Sequence, residues 1–400
     1  MTKAAVEFDR AAAVNRLMRF LAVEGITGQE KRIGEEVVRA LTEEGVPRRA
    51  MRFDDANTRI PLPTQTGNLI VTLPGTRPGP RRLFMTHLDT VPLCAGARPV
   101  RQGRRIRPVG KTALGGDNRT GVACLATMAA TLLKRNIPHG PLTLLFTVRE
   151  ESGLWGARYV NTDELGKPEM AFNVDGGVPA ELTIGAVGAE RWEVEVFGKA
   201  AHAGAHPERG VSATAVASLA LAQVLRGGWF GKVKQNGRLG TSNVGTFGGL
   251  DGQAAGQATN VVTDYARLTG ESRSHDSRFF KEITAAYRTA FRSAAQAVRD
   301  DKGRGAKVRF TSRLDYYPFR LKPVAAVVRE AQRGAERAGL KPILRVTNGG
   351  LDANWMVRHG IPTVTFGAGQ RNVHTVEEYV DLDDFLKGCR LALALATGGE

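Results

Sequence analysis

The spacing of apolar residues changes from a helical to a strand-like pattern near residue 45. Between residues 13 and 45 apolar side chains recur every three or four positions, which predicts two helices interrupted around Gly25–Gly28. A further helical pattern covers 118–135. Continuous apolar runs, each ending at Gly, Asp or Pro, occupy 68–74, 82–89, 142–148, 171–177 and 363–369. Such runs are typical of buried parallel strands, so we expect an α/β fold with a mixed, mostly parallel sheet and flanking helices.

Residues 188–320 follow a different pattern. Strand-like stretches lie at 191–198, 241–248, 261–271 and 306–316, and helical ones at 211–226 and 276–299. The resulting order, β-α-β-β-α-β, predicts a ferredoxin-like α+β domain. We therefore expect it to be inserted into an α/β domain formed by residues 1–187 and 321–400.

Length and composition narrow the class of protein. Four hundred residues exceed what one core usually organises, which agrees with two domains. Three widely spaced cysteines suit neither a disulfide framework nor a cysteine-type zinc site, so we expect a reducing cytoplasm. No apolar stretch approaches the roughly 18 residues of a membrane span, and the opening helical pattern has no signal-peptide core. We expect no membrane association.

The chain is strongly basic. Its 56 Lys and Arg residues against 40 Asp and Glu residues give a net charge of +16, which by itself raises the hypothesis of a nucleic-acid-associated protein. The basic residues are scattered, however, and no nucleic-acid-binding motif accompanies them. We expect no nucleic-acid partner.

Metal-binding residue types follow the apolar runs, at the strand ends where open α/β sheets bind ligands. Five of the seven are carboxylates: His87, Asp89, Asp117, Glu150, Glu151, Asp175 and His374. Gathering five carboxylates in one crevice is strongly unfavourable without cations. The pattern therefore indicates a divalent metal site.

Roles within this set follow from strand geometry. Asp89 lies two residues after His87, on the same side of a strand, where its carboxylate can accept the second imidazole N–H. Glu150 and Glu151 point in opposite directions if the strand continues, so one suits a metal ligand and the other a general base. If Asp117 bridges two zinc ions, with one carboxylate each from Glu151 and Asp175, the site keeps a net positive charge.

Several motifs resemble one enzyme family in order along essentially the whole chain. The family is that of two-zinc exopeptidases and amidohydrolases, which includes peptidase T, carboxypeptidase G and the aminoacylases. The motifs are HLDTVP (87–92), GGDNRTGVA (115–123), EESG (150–153), NVDGG (173–177), GKAAHAGAHPERGVSA (198–213), QATNVVTD (257–264) and NGGLDANW (348–355).

The resemblance assigns two Zn²⁺ ions per chain, and Co²⁺ or Mn²⁺ would suit the same ligands. It implies one ion held by His87, Asp117 and Asp175, and another held by Asp117, Glu151 and His374. Glu150 would be the general base, and Asp89 would support His87.

The resemblance also implies roles for residues that their own chemistry does not single out. His202 would stabilise the oxyanion of the tetrahedral intermediate, in its own chain or across a dimer. Asn260 and Arg273 would grip a substrate carboxylate, and the backbone at Gly349 and Gly350 would approach substrate. Residues 188–320 would form a lid and a homodimer interface.

Residues 242–262 and 271–274 look most like the peptidase T branch. The implied function is hydrolysis of a di- or tripeptide by a zinc-bound hydroxide that Glu150 activates. The same metals and Arg273 would also serve a carboxypeptidase or an N-acyl amino acid amidohydrolase. A further alternative is a metal- or peptide-binding protein without catalysis.

Three positions depart from the family pattern. Asn118 stands where a second Asp is usual, Arg119 where Lys is common, and Arg149 where an acidic residue often precedes the glutamate pair. None of these departures removes a predicted ligand. They bear on metal affinity and on the charge around Glu150.

Overall fold

The computed structural model describes residues 7–398. Helices and strands alternate through most of this part of the chain. Its α-helices are α1 (Arg10–Leu21), α2 (Lys31–Glu43), α3 (Ala56–Arg59), α4 (Gly116–Lys134), α5 (Trp155–Tyr159), α6 (Ala213–Arg226), α7 (Ser277–Ala297), α8 (Ala326–Arg337), α9 (Ala353–Arg358) and α10 (Leu382–Thr397). Its strands are β1 (Met51–Phe53), β2 (Leu69–Leu73), β3 (Arg82–His87), β4 (Pro99–Gln102), β5 (Arg105–Pro108), β6 (Leu142–Thr147), β7 (Met170–Val174), β8 (Glu181–Ala186), β9 (Gly188–Phe197), β10 (Gly231–Gln235), β11 (Arg238–Gly248), β12 (Tyr265–Ser274), β13 (Lys307–Tyr316), β14 (Phe319–Arg320), β15 (Ile343–Thr347), β16 (Thr363–Phe366), β17 (Gln370–Arg371) and β18 (Tyr379–Asp381).

The chain divides into two compact units. The first comprises the chain up to Ala186, Phe319–Thr347 and the chain from Leu351 onward. The second comprises Val187–Pro318 and the short segment Asn348–Gly350. That short segment, which carries the predicted substrate-binding glycines, lies within 321–400 and so belonged to the α/β domain in the sequence-based division.

The first unit is built on a mixed nine-stranded sheet in the order β1-β2-β6-β3-β7-β16-β8-β14, with β15 also paired to β8. Neighbours among the central strands β6, β3, β7 and β16 are parallel, while β1, β2 and β14 pair antiparallel. The predicted mixed sheet with a parallel centre is confirmed. Strand β2 is antiparallel to β6. The sequence did not predict this direction, because an apolar run indicates burial on both faces and carries no information about strand direction.

Helices cover the central strands, which are almost completely buried. Every residue of β3 and β6 is buried, and Phe84 on β3 lies 5.4 Å from Phe172 on β7 between ring centroids. Helix α4 is buried along most of its length, which agrees with the mostly small and apolar residues of its sequence after Gly121. This packing holds the carboxyl ends of β3, β6 and β7 in a fixed frame.

The second unit contains an antiparallel five-stranded sheet in the order β10-β11-β12-β9-β13, with helices α6 and α7. Leaving out β10, the connection order is β-α-β-β-α-β. Strand β10 forms a hairpin with β11 that the sequence pattern did not reveal. The core of this unit includes Trp192, Tyr287 and Phe291.

Side-chain caps mark where the helices of the second unit begin. Ser212 accepts a hydrogen bond from the Ala215 N–H at the start of α6, and Asp276 accepts one from the Arg278 N–H at the start of α7.

A small sheet in the order β17-β18-β5-β4 completes the first unit. Within residues 7–398, no helix combines the length and the apolar character needed to cross a membrane.

Candidate active site

Three neighbouring parallel strands bring the predicted metal-binding residues to one edge of the sheet. His87 is the last residue of β3, and Asp175 directly follows β7. Glu150 and Glu151 follow β6 after a short turn. Because parallel strands end on the same side of a sheet, side chains from three distant segments meet there.

Asp117 lies between the two histidines. Its Oδ1 is 3.1 Å from His87 Nε2, and its Oδ2 is 3.3 Å from His374 Nε2. His374 Nε2 is also 3.0 Å from Glu151 Oε1. One ligand atom from each of His87, Asp117 and Glu151 falls within 4.8 Å of the others. This is the arrangement expected of a carboxylate that bridges two cation positions.

Asp117 does not act as an ordinary helix cap. Helix α4 has Gly115 at its N-cap in the left-handed conformation, and Asp117 itself has non-helical backbone angles. Its carboxylate is 12% exposed and faces the histidines. Asp117 therefore belongs to the candidate active site, although it lies at the start of a helix.

Asp89 organises the backbone that carries the glutamate pair. Its Oδ1 accepts the Glu150 N–H at 3.0 Å, and its Oδ2 accepts the Glu151 N–H at 3.1 Å. His87 Nδ1 lies 3.0 Å from the Asp89 carbonyl oxygen and 3.4 Å from Asp89 Oδ1. The main-chain oxygen is thus the nearer acceptor for the His87 Nδ1–H, and this contact leaves Nε2 to face Asp117.

Burial and neighbouring negative charge raise the pKa values of three site carboxyls. Burial, together with the charge of Asp117, raises the pKa of Glu151 to about 7 and that of Asp175 to about 6. Burial also raises the pKa of Glu150 well above its ordinary value, and neighbouring Asp175 and Glu151 add to the effect.

The pKa values of both histidines are raised as well, which favours their charged form. Hydrogen bonds to Asp117 and Glu151 raise the pKa of His374 to about 10. Burial disfavours the charged form of His87, but its contacts with Asp117 and Asp89 outweigh this and raise its pKa. Burial likewise works against the ionised Asp117, yet the two histidines hold the pKa of this carboxyl well below its usual range.

Chemically, the cluster fits divalent cations. Imidazole and carboxylate are ligands that zinc accepts, and a doubly charged ion would stabilise the ionised carboxylates against both burial and mutual repulsion. Glu150 has no hydrogen bond from its carboxylate to either histidine among the described contacts.

The three departures from the family pattern serve local structure. Asn118 donates from Nδ2 to the Val174 carbonyl oxygen at 2.7 Å and accepts the Gly121 N–H at 3.0 Å. A carboxylate in its place would have no proton to donate to Val174.

Arg119 and Arg149 connect neighbouring segments by donating hydrogen bonds to carbonyl and hydroxyl oxygens. The buried Arg119 guanidinium donates to the carbonyl oxygens of Phe20 and Leu88. Arg149 donates to Thr64 Oγ1 at 2.7 Å and also contacts Ser152 Oγ at 3.2 Å.

Sequence reasoning missed another carboxyl group near this site. Asp352 is 1% exposed; its Oδ2 accepts a hydrogen bond from the Thr147 hydroxyl, and its Oδ1 has no hydrogen-bond partner among residues 7–398. Burial, with the charges of Asp175 and Asp89, raises its pKa to about 7. The sequence signal for Asp352 was its position within the NGGLDANW motif. The resemblance assigned a role in that motif only to Gly349 and Gly350.

His202 and Asn260 lie in the second unit and adjoin each other. His202 pairs with Val261 in an isolated antiparallel bridge, and the Ala203 N–H donates to the Asn260 carbonyl oxygen at 2.8 Å. His202 Nδ1 accepts the N–H groups of Gly204 and Ala205, at 3.2 and 3.1 Å. Nδ1 is thus an acceptor, which leaves Nε2 as the donor atom of this exposed side chain.

Arg273 and the two glycines also lie in the second unit. Arg273, on β12, donates from Nη2 to Glu271 Oε2 at 2.9 Å. A Cβ atom added to Gly350 would come within 2.5 Å of the Tyr316 ring, so this position admits only glycine without a shift. Gly349 precedes it in the same half-buried turn.

Residues 83–398 match a known family, described as peptidase family M20/M25/M40. The chain belongs to this family. Among curated proteins it is 32% identical to the uncharacterized protein YqjE of Bacillus subtilis over 330 residues, 82% of this chain and 84% of that protein. It is 25% identical to peptidase T of Escherichia fergusonii over 369 residues, 83% of this chain and 86% of that protein.

Two solved structures share the fold over nearly the whole length. Aminopeptidase PepT from Bacillus cereus superposes with a TM-score of 0.81 at 30% identity, covering 98% of both chains. A tripeptidase from Staphylococcus aureus gives a TM-score of 0.85 at 27% identity, also with 98% coverage of both chains. The predicted membership of this enzyme family is confirmed, and the chain is a metal-dependent hydrolase of peptide bonds.

The raised carboxyl pKa values predict how stability varies with pH. Glu151 and Asp175 titrate near 7 and 6 in the folded chain, against ordinary values of 4.5 and 3.8, so the folded chain keeps protons that the unfolded chain releases. This stabilisation is complete below the ordinary values and is lost as the pH rises toward 7. Thermal unfolding in the presence of a chelator should therefore show a midpoint that falls from pH 4.5 to 7.

Added Zn²⁺ provides the control for this prediction. Metal binding requires deprotonated ligands, so the stabilisation by zinc should grow over the same pH interval. A midpoint of the chelator-treated protein that rises through this interval would contradict the assignment.

Proposed function

We propose that this protein is a di- or tripeptide exopeptidase of the aminopeptidase type that uses two zinc ions and acts in the cytoplasm as a homodimer. The observation that carries the proposal is the placement of Asp117 between His87 and His374. The names of the peptidase T, aminopeptidase and tripeptidase relatives support the substrate class. The buried thiols Cys94, Cys124 and Cys389, none of them in a disulfide, suit a reducing compartment.

Six side chains would hold and orient the ions. Asp117 would be shared, with His87 and Asp175 on one side and Glu151 and His374 on the other. Asp89 would hold His87 and the backbone of Glu150 and Glu151 in position. When bound, the two ions would polarise the scissile carbonyl group and acidify a water molecule.

Glu150 would move the proton during hydrolysis. As the water oxygen attacks the carbonyl carbon, the Glu150 carboxylate accepts a proton from that water. It then gives this proton to the leaving nitrogen as the C–N bond breaks. A carboxyl in a buried, negatively charged setting suits both steps, because its raised pKa makes it an adequate base and then an adequate acid.

The residues of the second unit would bind substrate and stabilise charge. His202 would donate its Nε2–H to the oxyanion that develops on the carbonyl oxygen. Asn260 and Arg273 would bind the substrate carboxylate, for which the forked donors of arginine are suited. The backbone at Gly349 and Gly350 would approach the peptide.

The position of the scissile bond is tested with a capped substrate series. We expect hydrolysis of a tripeptide with a free amino terminus and little turnover of the same tripeptide after N-acetylation. Release of the first residue identifies an aminopeptidase, while release of the last residue identifies a carboxypeptidase. Preferred cleavage of N-acetyl amino acids would replace the proposal with the amidohydrolase alternative.

The role of Glu150 is tested by the variants Glu150→Gln and Glu151→Gln. Glu150→Gln should lower kcat by about 10²- to 10⁴-fold while zinc content stays at the parent level, because the amide cannot accept the proton. Glu151→Gln should instead lose zinc, because a ligand is removed. Zinc is measured by elemental analysis of the dialysed protein, and unimpaired turnover by Glu150→Gln would overturn the base assignment.

Mixing two inactive variants decides whether His202 acts across a dimer. His202→Ala and Glu150→Gln should each be nearly inactive alone. If His202 serves its partner, mixed dimers contain one site with both residues intact, and activity returns on mixing. Sedimentation equilibrium checks the dimer itself, and a fully active monomer would contradict this part of the proposal.

A further inference from the structure

The hairpin that carries His374 reaches more of the site than His374 alone. Strands β17 and β18 pair through Gln370 with Val380 and Arg371 with Tyr379, and His374 lies in the connecting loop. We call residues 370–381 the His374 hairpin. Two other side chains of this hairpin, Gln370 and Glu378, are buried and make hydrogen bonds to separate parts of the site.

Glu378 holds the segment that leads into Asp117. The side chain is 1% exposed, and its Oε2 accepts the N–H groups of Leu114 and Gly115 at 2.8 and 2.9 Å. Its Oε1 accepts the N–H of Asp117 at 3.0 Å. Three backbone donors at the start of α4, which have no partner within a helix, therefore share one carboxylate.

Gln370 contacts a different ligand. Its Oε1 accepts a hydrogen bond from the Thr120 hydroxyl at 2.9 Å, which fixes the orientation of the amide. Its Nε2 then donates to Asp175 Oδ1 at 3.3 Å. This hydrogen bond uses one of the two carboxylate oxygens of Asp175.

We propose that Glu378 and Gln370 are positioning residues that set Asp117 and Asp175 at the correct distance from His374. One hairpin thereby fixes three of the five predicted metal ligands, which come from three separate segments of the chain. The inference rests on the metal site proposed above. It explains how the Asp117 carboxylate stays in position, although Asp117 has non-helical backbone angles at the start of α4.

The chemistry of Glu378 distinguishes it from a generic buried acid. A carboxylate offers acceptors on both oxygens, so it satisfies the donors of Leu114, Gly115 and Asp117 together. In a Glu378→Gln variant one of the two oxygens becomes an NH₂ group that faces backbone N–H groups. The segment must then shift, and Asp117 shifts with it.

The test compares Glu378→Gln with Glu377→Gln in the full-length protein. Both substitutions remove one negative charge at adjacent positions of the hairpin, but Glu377 is exposed. Zn²⁺ affinity is measured by competition with a chromophoric chelator, and Co²⁺ binding is followed by its visible absorption, which reports coordination geometry. We expect Glu378→Gln to bind about 10- to 100-fold more weakly and to change the Co²⁺ spectrum, with Glu377→Gln like the parent.

A purely structural role for Glu378 makes a different prediction. It would lower the melting temperature of the chelator-treated protein and leave the affinity and the Co²⁺ spectrum of the folded protein unchanged. That result would overturn the inference. If Glu378→Gln does not fold, Gln370→Met decides, because it removes the contact with Asp175 and keeps the side-chain length.

For Gln370→Met the same loss of affinity supports the inference, and parental affinity with a parental Co²⁺ spectrum overturns it. The parent protein separates this inference from the proposed function. If the parent binds no Zn²⁺ or Co²⁺, the metal site itself fails. If the parent binds and the variants bind equally well, only the positioning role fails.

Discussion

Repulsion between carboxylates at one edge of the central sheet is the constraint to which the rest of the site responds. Six acidic side chains converge there: Asp89, Asp117, Glu150, Glu151, Asp175 and Asp352. An uncompensated charge in such a setting costs several kcal/mol. Histidines compensate Asp117, and backbone N–H groups compensate Asp89. The other four carboxyls have raised pKa values, because they are buried and lie near other negative charges.

Parallel strands make this concentration of charge achievable. Because β6, β3 and β7 are neighbours running in the same direction, residues that follow them meet without long loops. Strands β3 and β6 are fully buried, and β7 is buried from Ala171 to Val174, so close packing fixes the positions of the strand ends. The buried strands and helix α4 fix the positions of the segments that carry the site residues. The polar side chains of those segments form the candidate metal site.

Buried polar groups around the ligands have distinct tasks. Asn118 must donate as well as accept, which a second aspartate at this position does not do in its ionised form. Arg119 and Arg149 donate hydrogen bonds to oxygen atoms of helix α1 and of the loop that contains Thr64, so the two arginines stabilise the scaffold. None of these three positions is a predicted metal ligand, so the departures are compatible with the assignment of the chain to the peptidase family.

The sequence by itself determined the class of fold and the residue types at the strand ends. Apolar runs located β2, β3, β6, β7 and β16 because burial on both faces is a local property of composition. Short edge strands such as β1, β14 and β17 carry too few residues for a pattern. The tertiary structure alone decided that β2 runs antiparallel, that Asp117 faces two histidines, and that Glu378 holds the Asp117 segment from 261 positions away. Hydrogen bonds between residues so far apart depend on how the strands are ordered in space, and no local spacing of residues encodes that order.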